Sequence, residues 1–245
     1  MEYWVSMTEE EIQASMVLFG VSKLEGITEL REDQELQPSI FEEMLKKGFF
    51  VEKSSQRSWN SFVEAVLRCV FYAQSGMRVR VPGGPLCCLY FRYDNMVLLS
   101  KKQNELHYML YYVPLLPKAI GGLARELKTP AIMSYQAANT QSSTAQLPKQ
   151  VNSSKALSDV LIEAEIPGIP KCLETLLMAD GDCFGTPGLC EVLVRTTEGT
   201  VLVSQESDTL RVKSAAYYEY LEDISGWIVK THGVSISSKG EASYE

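Results

Sequence analysis

The sequence contains no uninterrupted apolar run near the roughly 18 residues that a membrane-spanning helix needs, which removes a helical integral membrane protein. Histidine is scarce: there are two, His107 and His232. Neither is accompanied by a GxSxG elbow or a paired acid, so a Ser-His-Asp constellation is poorly supplied. No CxxC pair occurs among the six cysteines Cys69, Cys87, Cys88, Cys172, Cys183 and Cys190, which removes the common zinc spacings. Positive charge is also in deficit. Against 31 acidic residues stand 23 basic ones, and the net charge of -8 disfavours nucleic acid or an anionic membrane as the main partner. The basic pairs Lys46-Lys47, Lys101-Lys102 and Arg78 with Arg80 read as solvated rims. The opening Met1-Glu2-Tyr3-Trp4 has neither the basic start nor the apolar stretch of a secretory signal, so the expected location is the cytoplasm, with all six thiols reduced.

What remains is an ordinary globular composition: 245 residues, 45% hydrophobic and 22% charged, enough for one large domain or two small ones. Tyr3 to Met7 alternates as a short strand. Thr8 followed by Glu9, Glu10 and Glu11 has the form of a capped helix start, with Ile12, Met16 and Phe19 at helical spacing and Gly20 as the stop. Leu24 to Gln37 is polar and weakly patterned. A second helix carries Ile40, Met44 and Leu45; Phe49-Phe50-Val51 reads as a short strand and Glu52 to Ser58 as a polar turn. A third helix is expected to carry Trp59, Phe62, Val63, Val66, Leu67, Val70 and Phe71.

From Met77 the period changes to two. Met77 to Val81, Leu86 to Phe91, Met96 to Ser100 and Leu106 to Val113 read as four antiparallel strands. They are joined by Pro82-Gly83-Gly84-Pro85, the Asp94-Asn95 turn and the Lys101 to Glu105 turn. Leu115 to Leu127 then reads as a helix. Residues 133–153 have the composition of a linker or exposed loop. Beyond them come helical segments over Ser154 to Glu165 and Pro170 to Met178, and a turn at Asp180-Gly181-Asp182. Strands follow at Cys190 to Thr196, Thr200 to Ser204 and Leu210 to Ser214, then a helix over Tyr217 to Lys230.

The two parts are similar. Leu86 and Cys87 match Leu189 and Cys190. After a one-residue shift Val97, Leu98, Ser100, Leu106, Ile120 and Gly122 match Val201, Leu202, Ser204, Leu210, Ile224 and Gly226. The expected architecture is therefore mixed α+β, with two similar halves of helices, antiparallel meander and closing helix related by a pseudo-twofold. The divisions fall at 1–132, a connection at 133–153, a repeat half at 154–234 and a frayed tail at 235–245.

No constellation for catalysis stands out, and no metal or cofactor is expected. Asp180, Asp182, Gly185 and Glu191 match four positions of an EF-hand loop, but Phe184 sits where a ligand is required and Pro187 where the loop must pair. Pro82-Gly83-Gly84-Pro85 lacks the Lys and the following helix of a phosphate loop. The pairs Glu9-Glu10, Glu42-Glu43 and Glu222-Asp223 lie on polar helix faces. Tyrosine and methionine carry more information, because both are common where a surface grips another protein. The candidate partner-binding residues are Tyr108, Met109, Tyr111 and Tyr112 on the long strand, with Tyr217 and Tyr220 on the final helix.

Tyr3-Trp4-Val5 on a short strand, a helix ending in Leu18-Phe19-Gly20, a helix end at Leu45-Lys46-Lys47-Gly48 and the two meander-plus-helix halves together resemble the EspG family. The resemblance implies a pseudo-twofold cytosolic chaperone of type VII secretion, without enzymatic activity, that holds a helical secreted client for its translocase. The Lys-, Glu- and Ser-rich, Ala-poor composition departs from the mycobacterial members, which implies a different helical client. The alternative from another class is an immunity protein that neutralises a basic toxin by occlusion, using the acidic balance directly.

Overall fold

The computed structural model describes residues 3–24, 28–29, 37–53, 56–93, 95–101, 106–113, 116–128, 130–139, 142–147, 151–183, 186–206 and 209–232. The polar stretch 30–36, Asp94, the turn at 102–105, Phe184 and Gly185, and the tail from 235 lie outside the described residues. Within them the chain is α+β, with seven helices around one ten-stranded antiparallel sheet. None of these helices is long and apolar enough to cross a membrane.

The chain enters through β1 (Tyr3–Thr8), in which Val5 and Met7 are buried. Thr8 then starts α1 (Glu9–Phe19) through a capping box: its hydroxyl accepts from the Glu11 amide, and the Glu11 carboxylate accepts from the Thr8 amide at 2.8 Å. Glu11 is itself buried, and the Lys47 ammonium 2.6 Å away compensates its charge. Next come β2 (Lys23–Leu24), β3 (Thr28–Glu29) and α2 (Pro38–Lys46). The expected strand at Phe50-Val51 opens β4 (Phe50–Lys53), and the stretch read as a polar turn instead extends it and supplies most of its hairpin partner, β5 (Gln56–Trp59). Trp59 therefore belongs to a strand and not to the third helix. Asn60 accepts from the Phe62 amide and starts α3 (Ser61–Phe71) one residue later.

The meander follows as β6 (Ser75–Arg80), β7 (Leu86–Arg92), β8 (Asn95–Lys101) and β9 (His107–Val113), then α4 (Leu116–Leu127) and the short α5 (Pro130–Ser134). The polar segment at 133–153 supplies an edge strand, β10 (Ser143–Gln146), before α6 (Ser154–Glu163). The helix expected over Pro170 to Met178 is a strand, β11 (Cys172–Cys183), which also absorbs the expected Asp180-Gly181-Asp182 turn. Its register with the next strand is irregular between Cys172 and Glu174 and between Thr175 and Leu177. Such bulges break the two-residue alternation and leave Leu173, Leu176 and Leu177 at spacings that imitate a helix. β12 (Thr186–Thr196), β13 (Gly199–Glu206), β14 (Thr209–Ser214) and α7 (Tyr217–His232) complete the chain.

The sheet runs β1-β9-β8-β7-β6-β11-β12-β13-β14-β10. Each meander thus steps outward from the central β6–β11 pair, and a separate strand is added at each edge. α4 packs on β7, β8 and β9, α7 packs on β12, and the two helices touch. Together they close one cluster on one face of the sheet, holding Leu89, Leu98, Leu123, Leu193, Leu202 and Tyr220. On the other face α3, with α1 and α2 beyond it, covers one half, and α6 covers the other, over separate clusters. Leu98 and Leu202, matched in the sequence, face the same way. Cys87 and Cys190 do not: the first lies under α4 and α7, the second packs on the α6 side. Side chains alternate along a strand, so the sequence match slips by one residue on that strand.

Candidate partner-binding surface

Alternation divides the tyrosines of β9. Tyr108, Leu110 and Tyr112 face α1 and α3, while Tyr111 and Val113 face the α4 side, as does Met109 by the same period. Tyr108 is buried, and the Lys101 ammonium sits 4.4 Å from its ring centroid and donates to its hydroxyl at 3.0 Å. Tyr112 is half-buried and donates to Asn95 Oδ1 at 2.6 Å. Tyr111 is half-buried beneath the Arg125 guanidinium, 5.4 Å from its ring, and Met109 is half-buried beside it. Tyr217 is buried and donates to the Ala124 carbonyl at 2.8 Å, which ties α7 to α4. Tyr220 is fully enclosed in the shared cluster. The six candidates therefore do not form one surface: Tyr108, Tyr217 and Tyr220 hold the core, and Met109, Tyr111 and Tyr112 remain at the sheet margin.

At that margin the structure adds two residues that the sequence reading had assigned to a strand without a role. β1 pairs with β9 so that Tyr3 lies opposite Tyr112 and Trp4 opposite Tyr111. Tyr3 is 57% exposed and Trp4 53% exposed. Trp4, Tyr111 and Met109 share the α4 side of the edge, and Tyr3 leans on Phe62 on the other, 5.6 Å between ring centroids. β1 carries no charge and no proline, and its outer edge is the sheet margin. An uncharged edge rimmed by aromatic rings offers both free backbone groups and apolar area to a partner. The signal in the sequence was the pair Tyr3-Trp4 itself; its neighbourhood depends on a pairing made across about a hundred residues.

Three of the described thiols are poor nucleophiles at neutral pH. Burial pushes Cys69 up to about 11 and Cys88 and Cys190 up to about 12, so the thiolate is scarce at neutral pH. Among the described residues no group of three or more His, Cys, Asp or Glu side chains converges as a metal site. The residues of the EF-hand-like match diverge: Asp180 accepts from the Ser154 amide and hydroxyl and pairs with Arg78 at 3.2 Å, whereas Glu191 binds Ser204 on the opposite face of the sheet.

No family model matches the sequence, and no curated protein matches it. Among solved structures the chain is similar to the Mycobacterium tuberculosis type VII secretion system chaperone EspG5, determined in complex with the PE25-PPE41 dimer. The two chains share a fold. The superposition has a TM-score of 0.59 at 9% sequence identity and covers 94% of this chain and 96% of the other. At this identity the likeness is one of fold, and it extends over nearly the full length of both chains.

Proposed function

We propose that the protein is a cytoplasmic chaperone or adaptor of a type VII secretion system, holding a helical secreted client in a soluble form and acting without catalysis. The observation that carries this reading is the near full-length correspondence of fold with EspG5, a chaperone determined together with its PE25-PPE41 partner. The edge strip supports it. Tyr3, Trp4, Met109, Tyr111 and Tyr112 give the aromatic and thioether anchors that a client's apolar face needs, with Arg125 as a polar rim. On the same reading the two halves are repeats about a pseudo-twofold through the β6–β11 pair. The identical order of strands and closing helix in each half supports this.

The test is co-expression with helical export substrates encoded beside this protein, followed by affinity purification and light scattering. A stable complex of defined stoichiometry is the expected result. Trp4→Ala combined with Tyr111→Ala is expected to weaken it at least about tenfold, the loss typical of two central aromatic anchors. A folded protein that retains none of these substrates and leaves their solubility unchanged would refute the reading.

A further inference from the structure

Where β7 turns into β8, a chain of aromatic rings and guanidinium groups lies on the surface. Arg68 sits 5.6 Å from the Phe19 ring, and Phe19 meets Tyr72 at 6.2 Å between centroids. Tyr72 donates to the Phe19 carbonyl at 2.7 Å, which fixes the end of α1 against the end of α3. Arg92 then lies between two rings, 5.6 Å from Tyr72 and 5.5 Å from Tyr93, and also reaches the Arg68 carbonyl at 3.5 Å. Its rings reach solvent, Tyr72 being 40% and Tyr93 74% exposed, while Phe19 and Arg92 are half-buried.

Two features set this ladder apart from ordinary surface. Glu64 neutralises Arg68 at 2.8 Å, but Arg92 meets no carboxylate among the described residues, in a chain whose net charge is -8. Tyr93 is also the single non-glycine residue with positive φ among the described residues, at 53°. Turns of this kind are most easily made by Asn, Asp or Gly. A tyrosine there works against turn preference and leaves its ring mostly in water, while the Gln74 side chain holds the backbone by accepting from the Tyr93 amide at 2.9 Å. Arg and Tyr in contact at an exposed site form the chemistry most enriched at binding hot spots. A guanidinium within about 6 Å of two rings has less freedom to lose when it takes a carboxylate.

We infer that this ladder docks an acidic segment of a partner protein, one that presents a carboxylate to Arg92 and an apolar side chain to Tyr72 and Tyr93. The ladder shares no residue with the edge strip formed by β1 and β9 and does not rest on the chaperone reading. Charge selects the occupant, because a cation that meets no carboxylate among the described residues favours an acidic ligand and repels a basic one.

The experiment measures fluorescence anisotropy of a labelled short peptide alternating Glu with Leu and Phe, and of its counterpart with Gln in place of Glu, against the intact protein. The acidic peptide is expected to bind, more weakly as salt is raised, and the Gln peptide to bind about tenfold less tightly. Arg92→Gln is expected to remove that preference. Tyr93→Asn, which suits the turn better and so keeps or raises the melting temperature, is expected to weaken the acidic peptide about tenfold. Failure of the acidic peptide to bind, equal binding of the two peptides, or undiminished binding by folded Tyr93→Asn would each overturn the assignment. Loss of client retention in the Trp4 and Tyr111 variant, with peptide binding intact, would separate this surface from the other.

Discussion

Glu191 places a carboxyl on the α7 side of β12, where it is 8% exposed and accepts from the Ser204 hydroxyl at 2.9 Å through one oxygen. Its second oxygen and the Tyr220 hydroxyl are both buried and meet no hydrogen-bond partner among the described residues. Burial is the largest influence on the group and Asp223 adds to it; against the Ser204 bond and the cations Lys213 and Arg211 they still push Glu191 up to about 7 from its ordinary 4.5. The folded state therefore favours the protonated form. Its contribution to stability is fully present below pH 4.5 and is lost as pH rises to about 7. At 1.36 kcal/mol per pH unit, the loss is on the order of 3 kcal/mol. Glu191→Gln keeps the shape without the charge, so it is expected to melt several degrees above the unaltered protein at pH 8 and close to it at pH 5. Equal melting temperatures at pH 8 would show that water reaches the carboxylate. None of this was legible in the sequence, where Glu191 stood out only as one position of a calcium loop. Its environment is assembled by Ser204, Lys213 and Tyr220, brought in from β13, β14 and α7.

Strands and helices were legible wherever period and caps agreed, and misread where long-range pairing overrode them. The alternation from Met77 onward located β6 to β9, and the Thr8 cap located α1. The twelve residues of β11 were taken for a helix and a turn because bulges scramble their alternation. The segment 133–153 read as a linker because a short edge strand such as Ser143–Gln146 needs few large apolar residues. What secures that segment is the β12–β13 turn. Ala138 donates to the Thr200 carbonyl at 2.9 Å, and both the amide and the hydroxyl of Thr200 donate to the Gln136 carbonyl. Gly199, at φ 128°, makes this approach possible: a Cβ there would lie 2.8 Å from the Ala138 backbone and 3.0 Å from the Gln136 carbonyl oxygen. Gly168, at φ 86°, has nothing within 4 Å of the same position. At both positions alanine would suffer backbone strain of about 1 kcal/mol or more, but only at Gly199 does it also collide with main chain that cannot swing aside. Gly199→Ala is accordingly expected to lower stability by about 3 kcal/mol or more in urea titration, and Gly168→Ala by about 1 kcal/mol. Similar losses at the two positions would mean that 136–138 is not held against the turn.

At the scale of the whole molecule, the sequence permits two small domains, and the β6–β11 pair decides against their independence. Met77 to Arg80 and Met178 to Gly181 are cross-strand neighbours, and the Arg78 to Asp180 ion pair, with Ser154 on the same carboxylate, bolts α6 to that seam. On the opposite face Trp227 of α7 lies over Gly181 so closely that a Cβ there would come within 2.8 Å of its ring. The largest apolar cluster also draws on both halves, with Leu89, Leu98 and Leu123 from one and Leu177, Leu193 and Ile224 from the other. Separating the halves would expose that cluster to water at about 25 cal/mol per Å², a loss neither half can replace from its own outer cluster. With its core shared across the seam, the chain is thus expected to unfold as one unit. Fluorescence can decide this, because Trp59 packs 4.4 Å from Phe50 in the first half and Trp227 sits on the seam from the second. Of two variants, one retains only Trp59 and the other only Trp227, with Phe at the remaining tryptophans. Both should give a single urea transition whose midpoint, once referred to that variant's own circular-dichroism curve, coincides for backbone and tryptophan. An early Trp59 transition with helix and strand signal still intact would instead make the first half a separate folding unit, and the seam a docking contact between domains.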